Sequence, residues 1–304
     1  MGLFFYTQKG SIISTVVLPT TEIIEPKLLI LLDSDFFDIF IHVDKSANLS
    51  EFHQIIKKLT KSRVFFVSDR IDIRWGDFSI VEAELLLLKL AQSNGPYSYY
   101  HLLSGADFII KKPRQIFEFF ANSENVEYIN FFDVPIEKEE FYQRRYKFRY
   151  KRKYPKKKSV WNKAIYQIYL KYCQYIQKGQ QRKKMGINFY VGSQWFSITD
   201  NCVSYILSQI SLIRELFVET LVPDESFIQT LICMNEELRS NIVSDPINYS
   251  SIKRDIQFID GKPKVWTIAD YEELMFSTSF FARKFDQPIS DKIIETLIKE
   301  LQEE

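Results

Sequence analysis

The segment YYHLLSGADFII, residues 99–110, places a single carboxylate, Asp107, directly after a run of aromatic and aliphatic residues. One carboxylate is a poor magnesium site, because hard cations in proteins are usually held by several oxygen ligands. It can accept hydrogen bonds from the hydroxyls of a sugar or a ribose, or it can stabilise the loop that contains it. The residues alone favour neither interpretation of Asp107.

A second acidic motif, Asp33-Ser34-Asp35, has the spacing with which carboxylates hold a divalent ion against a diphosphate. It lies at the end of the first predicted helix, ahead of the second predicted strand, where acidic residues usually stabilise a turn. We therefore predict a turn at this motif and no metal site. The sequence also lacks G-x-G-x-x-G and G-x-x-x-x-G-K-[ST] motifs. Their absence argues against a dinucleotide-dependent oxidoreductase and a P-loop kinase, but leaves open a nucleotide bound without a glycine-rich loop.

Predicted strands and helices alternate over the first third of the chain, at the spacing of parallel βαβ units. The strands are short continuous apolar runs, which is typical of a sheet covered by helices on both faces. The predicted strands are residues 11–17, 38–44, 63–69 and 99–105, and the predicted helices are residues 22–34, 49–60 and 79–93. The pattern predicts a Rossmann-like sheet in the N-terminal half of an α/β protein.

Polar residues stand at the predicted carboxyl ends of these strands, where the ligands of parallel sheets bind. His42 and Asp44 stand at the end of the second strand, on either side of Val43, Asp69 and Arg70 end the third, and Asp107 follows the fourth. We predict that these residues lie at one edge of the sheet and contact a bound ligand. The histidine that precedes Val43 either lines the same pocket or caps its strand.

In the second half of the chain, residues 187–199 indicate a strand and a turn, and residues 200–210 indicate a helix. Another helix is expected to start near Pro223 and Asp224, and residues 290–304 indicate an amphipathic terminal helix. Acidic residues in a first helical turn, here Asp224 and Glu225, commonly complement the helix dipole.

A strongly basic segment precedes these elements. Residues 144–158 contain ten Lys or Arg and no acidic residue, and tyrosines and a phenylalanine lie between the cations. Such a segment can lie on anionic lipid, bind nucleic acid through phosphates and stacking, or form a solvated charged loop. We favour an anionic membrane surface as its partner and do not expect nucleic acid.

Composition limits the class of protein. The 304 residues are 46% hydrophobic and 15% aromatic, with a formal net charge of +1, so the chain can fill a substantial core. Three cysteines without C-x-x-C spacing argue against a zinc site and a disulfide framework. No apolar stretch has the length of a membrane-spanning helix, and the N-terminus does not resemble a signal peptide. We expect a cytoplasmic protein that associates peripherally with the inner face of the cell membrane.

Six blocks of the sequence occur in a characteristic order between about residue 36 and residue 286. They are FIHVDKSA (40–47), WGDFSIVEAELLLLK (75–89), YYHLLSGADFIIKKP (99–113), VGSQWFSIT (191–199), PDESFIQTL (223–231) and FFARKFD (280–286). In order and approximate spacing these blocks resemble the core-2/I-branching glycosyltransferases, which include β-1,6-N-acetylglucosaminyltransferases and peptide xylosyltransferases. By this resemblance the chain is identified as a bacterial-type member of that family.

The resemblance implies a GT-A-like fold, a UDP-sugar donor, inversion at the anomeric carbon, and no metal or other cofactor. Glu225 corresponds to the family's catalytic base, with Asp224 beside it on the acceptor side. Arg254 and Lys284 correspond to the cations that hold the diphosphate, which could neutralise the leaving group in place of a divalent ion. Trp195 either stacks on a sugar ring or packs in the core.

The chain departs from the family pattern in two places. Ile109 stands where family members commonly have proline, which leaves the turn after Asp107 less constrained. Thr20 and Thr21 stand where the first strand often ends in a histidine, so the donor contacts of that strand are not implied by the resemblance.

We predict one GT-A-like domain over residues 1–304. It comprises a UDP-sugar-binding half (1–132), a basic insert (133–185) and a mixed α/β acceptor-binding and catalytic half (186–304). The predicted reaction transfers a sugar, with N-acetylglucosamine in β-1,6 linkage as the leading case, to a hydroxyl of a glycan acceptor in surface polysaccharide synthesis. We expect this acceptor to be lipid-linked. The alternative is a non-catalytic module that binds membrane or nucleic acid through residues 144–158.

Overall fold

A computed structural model describes residues 12–17, 25–132, 140–151, 155, 159–177 and 186–302. The departure at Thr20 and Thr21 lies outside the described residues, as do residues 152–154 and 156–158 of the basic segment. Within the described part, the chain forms eleven β-strands and twelve α-helices. The structure is therefore of mixed α/β type, which is consistent with the GT-A-like fold that the resemblance implies.

The main sheet has six strands in the order β3-β2-β1-β4-β7-β6. These strands are β1 (Ile12–Val17), β2 (Asp38–Val43), β3 (Val64–Phe66), β4 (Tyr99–Ser104), β6 (Tyr128–Phe131) and β7 (Gly192–Thr199). β1 pairs in parallel with β2 and β4, and β2 pairs in parallel with β3. The four strands predicted from the first third of the chain thus form one parallel block. β7 runs antiparallel to both β4 and β6.

Helices pack on both faces of this sheet. The helices of the described residues are α1 (Glu25–Leu32), α2 (Ser50–Ile56), α3 (Ser79–Asn94), α4 (Pro113–Ala121), α5 (Glu140–Lys147), α6 (Val160–Ile176), α7 (Asp200–Ser208), α8 (Ile210–Phe217), α9 (Phe227–Cys233), α10 (Glu236–Ser240), α11 (Tyr271–Phe276) and α12 (Asp291–Gln302). Neighbouring residues of a strand point to opposite faces, and along β4 Tyr100 and Leu102 belong to one hydrophobic core while Tyr99 and Leu103 belong to the other. Two cores explain why the strands are continuous apolar runs in the sequence.

A second, three-stranded sheet has the order β5-β11-β8. It consists of β5 (Asp107–Ile109), β8 (Arg254–Ile256) and β11 (Phe281–Arg283), and a short hairpin of β9 (Phe258–Ile259) and β10 (Lys262–Pro263) follows β8. Only residues 105 and 106 separate β4 from β5. Asp107 is therefore the first residue of a new strand, and in the ladder it lies opposite Arg283.

Helices α1 to α3, α7 and α12 occur where the sequence predicts them. Residues 133–185, for which only a basic insert is predicted, contain α5 and α6. None of the described helices has both the length and the apolar character that a bilayer-spanning segment requires. The division of the chain into a nucleotide-binding half and an acceptor-binding half stays a prediction.

Gly192 begins β7 at a point where β6 and β7 approach very closely. A Cβ atom at this position would lie 1.9 Å from the carbonyl oxygen of Asn130 and 2.6 Å from the Cα atom of Phe131. The pairing of the two strands is also irregular here, with a register shift between Ile129 and Phe131. Because these contacts are with backbone atoms, a larger residue would push the strands apart.

We expect Gly192→Ala to lower the free energy of unfolding by about 2–3 kcal/mol, the usual cost of forcing extra atoms into packed structure. Urea unfolding followed by circular dichroism measures this change. Gly186→Ala is the control, because Gly186 has a φ of +74° but no atom of the described residues lies within 4 Å of an added Cβ. It should cost only about 1 kcal/mol, from the left-handed backbone conformation. Equal losses for the two variants would contradict the steric explanation.

Candidate active site

A cleft of about 460 Å³ lies beside the start of β7. One wall is formed by the loop that precedes α9, and the other by residues from the end of β4 and from the three-stranded sheet. The lining includes Asp224, Glu225 and Trp195 from the sequence predictions, and Trp75, Ser104 and Arg283, which the sequence analysis did not assign to a site. The predicted acceptor-side residues thus lie together in one cavity.

Glu225 occupies one wall of the cleft as part of an ion pair. Its Oε2 atom accepts a hydrogen bond of 2.7 Å from Nη1 of Arg145, which lies on α5. The Glu225 side chain keeps 38% of its surface exposed, and that of Arg145 keeps 18%. The carboxylate is therefore held in place by a largely buried cation while it remains accessible from the cleft.

The backbone around Glu225 differs from the predicted helix start. Residues 223–225 form a short 3-10 turn, and α9 begins only at Phe227. Val222, directly before this turn, has a φ of 52°, which is strained for a β-branched residue. Its amide donates to the carbonyl oxygen of Gly76 at 2.9 Å, and its own carbonyl accepts from the Tyr146 hydroxyl at 3.3 Å. Contacts from two other segments thus hold the turn in a conformation that the chain would not adopt alone.

A second acidic group lies behind Glu225. Asp224 is buried, and burial followed by the charge of Glu225 raises its pKa to about 7. Glu84 of α3 is also buried, and burial together with the charge of Asp224 raises its pKa well above the usual range. Gln194 donates to Oε1 of Glu84 at 2.6 Å. Both buried acids therefore retain protons to higher pH than exposed acids do, whereas Glu225 has a cationic partner.

Arg283 supplies positive charge to the other wall of the cleft. Its Nη1 atom donates to the Ser104 hydroxyl at 2.6 Å and to Oδ1 of Asp107 at 3.1 Å. Its guanidinium lies 4.5 Å from the centre of the Trp195 ring, a cation–π arrangement. The second carboxylate oxygen of Asp107 accepts from the backbone amide of Ser104. Asp107 therefore orients an arginine, and one face of Trp195 is covered by that arginine.

Arg254 does not line this cleft, in contrast to the position expected for a diphosphate ligand. Its side chain is buried, and its Nη2 atom donates to the carbonyl oxygen of Phe196 at 2.6 Å and to the Ser197 hydroxyl at 3.0 Å. Burial lowers the pKa of Arg254 to about 9, although the charge of Asp107 acts in the opposite direction. The guanidinium is thus anchored beneath the cleft, where it connects β8 to β7.

Lys284 follows Arg283 in the chain and forms an ion pair with Asp286. About a third of its side chain is exposed, but it is not among the residues that line the cleft. The block FFARKFD contains two adjacent cations, Arg283 and Lys284, so the sequence alone admits either of them as the residue that lines the cleft. Only the strand pairing decides between them, since it places Arg283 opposite Asp107.

The residues at the ends of β2 and β3 form a separate network. Asp44 is fully buried and accepts hydrogen bonds from the amides of Ser46 at 2.8 Å and Ile73 at 2.7 Å. Arg70 donates to the carbonyl oxygen of Val43 at 3.1 Å. As predicted, these strand ends lie together. However, Asp44 and Arg70 make hydrogen bonds that link one backbone segment to another, and Val43 takes part through its carbonyl oxygen. Asp69 is exposed at the same edge of the sheet.

His42 belongs to this network as well. Its Nε2 atom accepts a hydrogen bond of 2.9 Å from the amide of Ile71, and its side chain is fully buried. Burial lowers the pKa of His42 to about 4, and the charge of Asp44 offsets only part of that effect. A neutral histidine thus fixes the start of the loop after β3.

Asp33 stabilises a turn, as the sequence analysis predicted. Its carboxylate accepts hydrogen bonds from the amides of Thr60, Lys61 and Ser62 at 2.8–2.9 Å. Among the residues that the structure describes, no group of three or more His, Cys, Asp or Glu side chains is arranged to hold a metal ion.

The described part of the basic segment packs against the protein. Tyr146 and Tyr150 are buried, Arg145 binds Glu225, and Arg149 pairs with Glu219 at 3.3 Å. Tyr146 and Tyr150, which lie between cations in the sequence, are thus core residues and are not available to stack on nucleic acid bases. Through Arg145, the first part of the segment supports the cleft wall that contains Glu225.

Comparison with known families gives one match. The family model described as Branch: Core-2/I-Branching enzyme matches residues 20–272, most of the chain. The matched range includes Asp107, the turn at Glu225 and Arg254, and it ends before Arg283 and Lys284. A search of curated proteins found no match to the chain.

The raised pKa of Asp224 predicts a pH dependence of stability. Between its ordinary value of 3.8 and the folded value of about 7, the folded protein binds more protons at this site than the unfolded chain does. The contribution of Asp224 to stability is therefore complete below pH 4 and is lost as the pH rises to 7.

Asp224→Asn removes this titration, so the stability of the variant relative to the wild type should increase between pH 4 and pH 7. The increase should reach up to about 4 kcal/mol, since each unit of pKa corresponds to 1.36 kcal/mol. Urea unfolding at several pH values measures the free energy of unfolding of both proteins. Because both contain His42, its opposite pH dependence cancels in the difference between them. A difference that stays constant over this range would contradict the assignment.

Proposed function

Because the chain belongs to the core-2/I-branching enzyme family, a family of glycosyltransferases, we propose that it is an inverting transferase that moves a sugar from UDP to a hydroxyl of an acceptor glycan. The leading candidate for the reaction is transfer of N-acetylglucosamine in β-1,6 linkage. The proposed role of the enzyme is in surface polysaccharide synthesis. The cleft carries the proposal, because it has an accessible carboxylate on one wall and a fixed cation on the other. These are the two charges that a single displacement requires.

Glu225 is the proposed general base. Arg145 holds Oε2 at 2.7 Å, which fixes the carboxylate while Oε1 can accept the proton of the acceptor hydroxyl. The acceptor oxygen then attacks the anomeric carbon from the side opposite the diphosphate, the bond from that carbon to UDP breaks, and its electron pair leaves with the β-phosphate. The configuration inverts because attack and departure occur on opposite faces. A positioned base of this kind typically accelerates a reaction about 10²- to 10⁴-fold.

Arg283 is the proposed ligand of the departing diphosphate, together with Lys284. Asp107, Ser104 and Trp195 already orient its guanidinium, so little reorganisation is needed when negative charge develops on the phosphate. An arginine can also offer two parallel hydrogen bonds to phosphate oxygens. In this proposal, side-chain cations neutralise the leaving group and no metal ion is required.

Arg254 contributes to the same electrostatic field from below. Its proximity to Asp107 is evident from the opposing effect of that acid on its pKa. Two arginines, Arg254 and Arg283, thus face a single buried carboxylate, which leaves net positive charge beneath the position proposed for the diphosphate. We therefore assign Arg254 a positioning role in place of the direct contact that the resemblance implied.

The loops after β2 and β3 are the proposed site of the uridine. Asp44 and Arg70 shape these loops through backbone hydrogen bonds, and Asp69 presents an exposed carboxylate that can bind a ribose hydroxyl. On the acceptor side, Trp75 is 64% exposed at the cleft and offers a ring for a sugar to stack on. Trp195 is less suited to that role, because Arg283 covers one of its faces.

The acceptor is proposed to be lipid-linked. An acceptor of this kind requires the enzyme to reach a membrane surface, and the cationic segment at residues 144–158 would attract anionic lipid. Arg145 of this segment holds Glu225 in the cleft wall, so the same region of the chain would approach both the lipid and the acceptor.

Glu225→Gln should lower the turnover number at least about 100-fold, because the amide cannot accept the proton, while the affinity for UDP stays unchanged. Release of UDP from a panel of UDP-sugars, with and without glycan acceptors, measures turnover. The matched control is Glu219→Gln, since Glu219 pairs with Arg149 outside the cleft and should keep wild-type activity within a few fold. A non-catalytic module would show no turnover in any of these proteins.

Arg283→Met should weaken UDP binding about 10- to 100-fold, the usual effect of losing a hydrogen bond to a charged group. Titration calorimetry in excess EDTA measures the affinity. Arg214→Met is the control, because Arg214 also pairs with a carboxylate, Glu82 at 3.0 Å, and lies over an aromatic ring, but on the outer surface. It should bind UDP normally.

Two results would oppose this assignment. Normal UDP binding by Arg283→Met, combined with loss of binding by a folded Arg254→Met, would return the diphosphate contact to Arg254. Loss of wild-type turnover in EDTA, with recovery on addition of a divalent ion, would show that side-chain cations do not suffice.

A further inference from the structure

Helix α6 (Val160–Ile176) carries an apolar stripe on its solvent side. The stripe consists of Trp161, Ile165, Ile168, Tyr172 and Tyr175, which follow one another at spacings of four and three residues and so share one helix face. All five are exposed, with Trp161 at 79% and Tyr175 at 80%. A continuous exposed patch of large apolar side chains usually marks an interaction surface.

The stripe is distinct from the face by which α6 packs on the protein. Tyr166 and Cys173 are the buried residues of the helix, and they lie on the opposite side. The C-terminal end is further fixed by Gln177, whose side chain donates to the carbonyl oxygen of Arg149 at 2.9 Å and accepts from its amide at 3.0 Å. The helix is therefore anchored in an orientation that leaves the stripe outward.

The charge around α6 indicates which partner the stripe fits. Residues 141–199, which include the whole helix, contain 16 Lys and Arg and no Asp or Glu. A second copy of the chain would bring like charges together across the interface and offer no acidic partner from this region. An anionic lipid surface supplies both an apolar layer and negative charge, which is the combination that interfacial amphipathic helices recognise.

We propose that α6 is a membrane-docking helix that lies flat on anionic lipid, with the stripe at the boundary between headgroups and acyl chains. Lys171, which flanks the stripe on the helix, contacts the headgroups, and the excess of cations in the surrounding sequence favours anionic lipid. This inference deepens the proposed function by naming the apolar element that brings the enzyme to a lipid-linked acceptor. Only the biological purpose of docking rests on the proposed function, because docking itself needs neither donor nor acceptor.

The docking helix is coupled to the active site through the basic segment. Gln174 donates to the Tyr150 hydroxyl at 3.3 Å and Gln177 binds the backbone of Arg149, while α5 of the same segment carries Arg145, the partner of Glu225. Arg145 and Arg149 are four positions apart along the chain. A lipid-bound α6 would therefore hold the Glu225 wall of the cleft close to the membrane surface.

Co-sedimentation with vesicles tests the proposal in the absence of any sugar nucleotide. The wild-type protein should bind vesicles that contain phosphatidylglycerol and bind phosphatidylcholine vesicles at least about tenfold more weakly. The double variant Trp161→Ser/Ile168→Ser should bind phosphatidylglycerol vesicles at least about tenfold more weakly than the wild type, because two large apolar side chains no longer enter the lipid. Tyr172→Ser/Tyr175→Ser should show the same loss.

The control variant is Phe276→Ser/Ile289→Ser, which removes two exposed apolar residues of 82% and 58% exposure elsewhere on the surface. It should bind vesicles as the wild type does. Brominated lipid should also quench the fluorescence of Trp161. The contribution of Trp161 is the difference in fluorescence between the wild type and Trp161→Phe.

Unchanged vesicle binding by both stripe variants would overturn the proposal, as would an equal loss in the control variant. Sedimentation equilibrium that shows a dimer dissociated by the stripe substitutions, without vesicle binding, would assign the stripe to a second copy instead. Failure of sugar transfer in the same preparations would contradict the proposed function and leave the docking result intact.

Discussion

The ion pair between Asp107 and Arg283 is the interaction on which the architecture of the cleft depends. Asp107 is almost fully buried, and a buried carboxylate without a partner is strongly unfavourable. Arg283 satisfies this requirement, and through it the first residue of β5 is tied to the last residue of β11. Because only two residues separate β5 from the central strand β4, this pair fixes the small sheet against the large one. It thereby places a guanidinium at the cleft.

The opposite wall uses the same physical principle with the charges exchanged. There a mostly buried arginine, Arg145, holds a more exposed carboxylate, Glu225. In each pair the less exposed partner is fixed by the protein, and the more exposed partner faces the cleft. An ion pair that is partly buried gives orientation at a lower desolvation cost than a fully buried one. The two walls can therefore present opposite charges to a substrate without either charge being neutralised inside the cavity by the other.

The basic insert connects these features to the surface of the molecule. Its first part packs aromatic side chains into the core and delivers Arg145 to Glu225, while its second part forms a helix whose apolar stripe remains outside. Tyr146 and Tyr150 are buried, whereas Tyr172 and Tyr175 are exposed, although all four lie in one acid-free region of the sequence. One segment thus serves two environments, because α5 supports the wall of the cleft while α6 forms the surface proposed to meet lipid.

The sequence by itself determined the parallel strands β1 to β4, their covering helices, the turn at Asp33 and the family. Apolar periodicity and local turn chemistry decide these features, and both are properties of neighbouring residues. It did not determine that Arg283 lines the cleft while Arg254 lies beneath it, that Arg145 binds Glu225, or which tyrosines of the basic segment are buried. Those outcomes depend on strand register and on contacts between residues more than 75 positions apart, such as Arg145 with Glu225. Only the tertiary structure could decide them, because the burial that selects one cation over its neighbour does not exist until the sheets have packed.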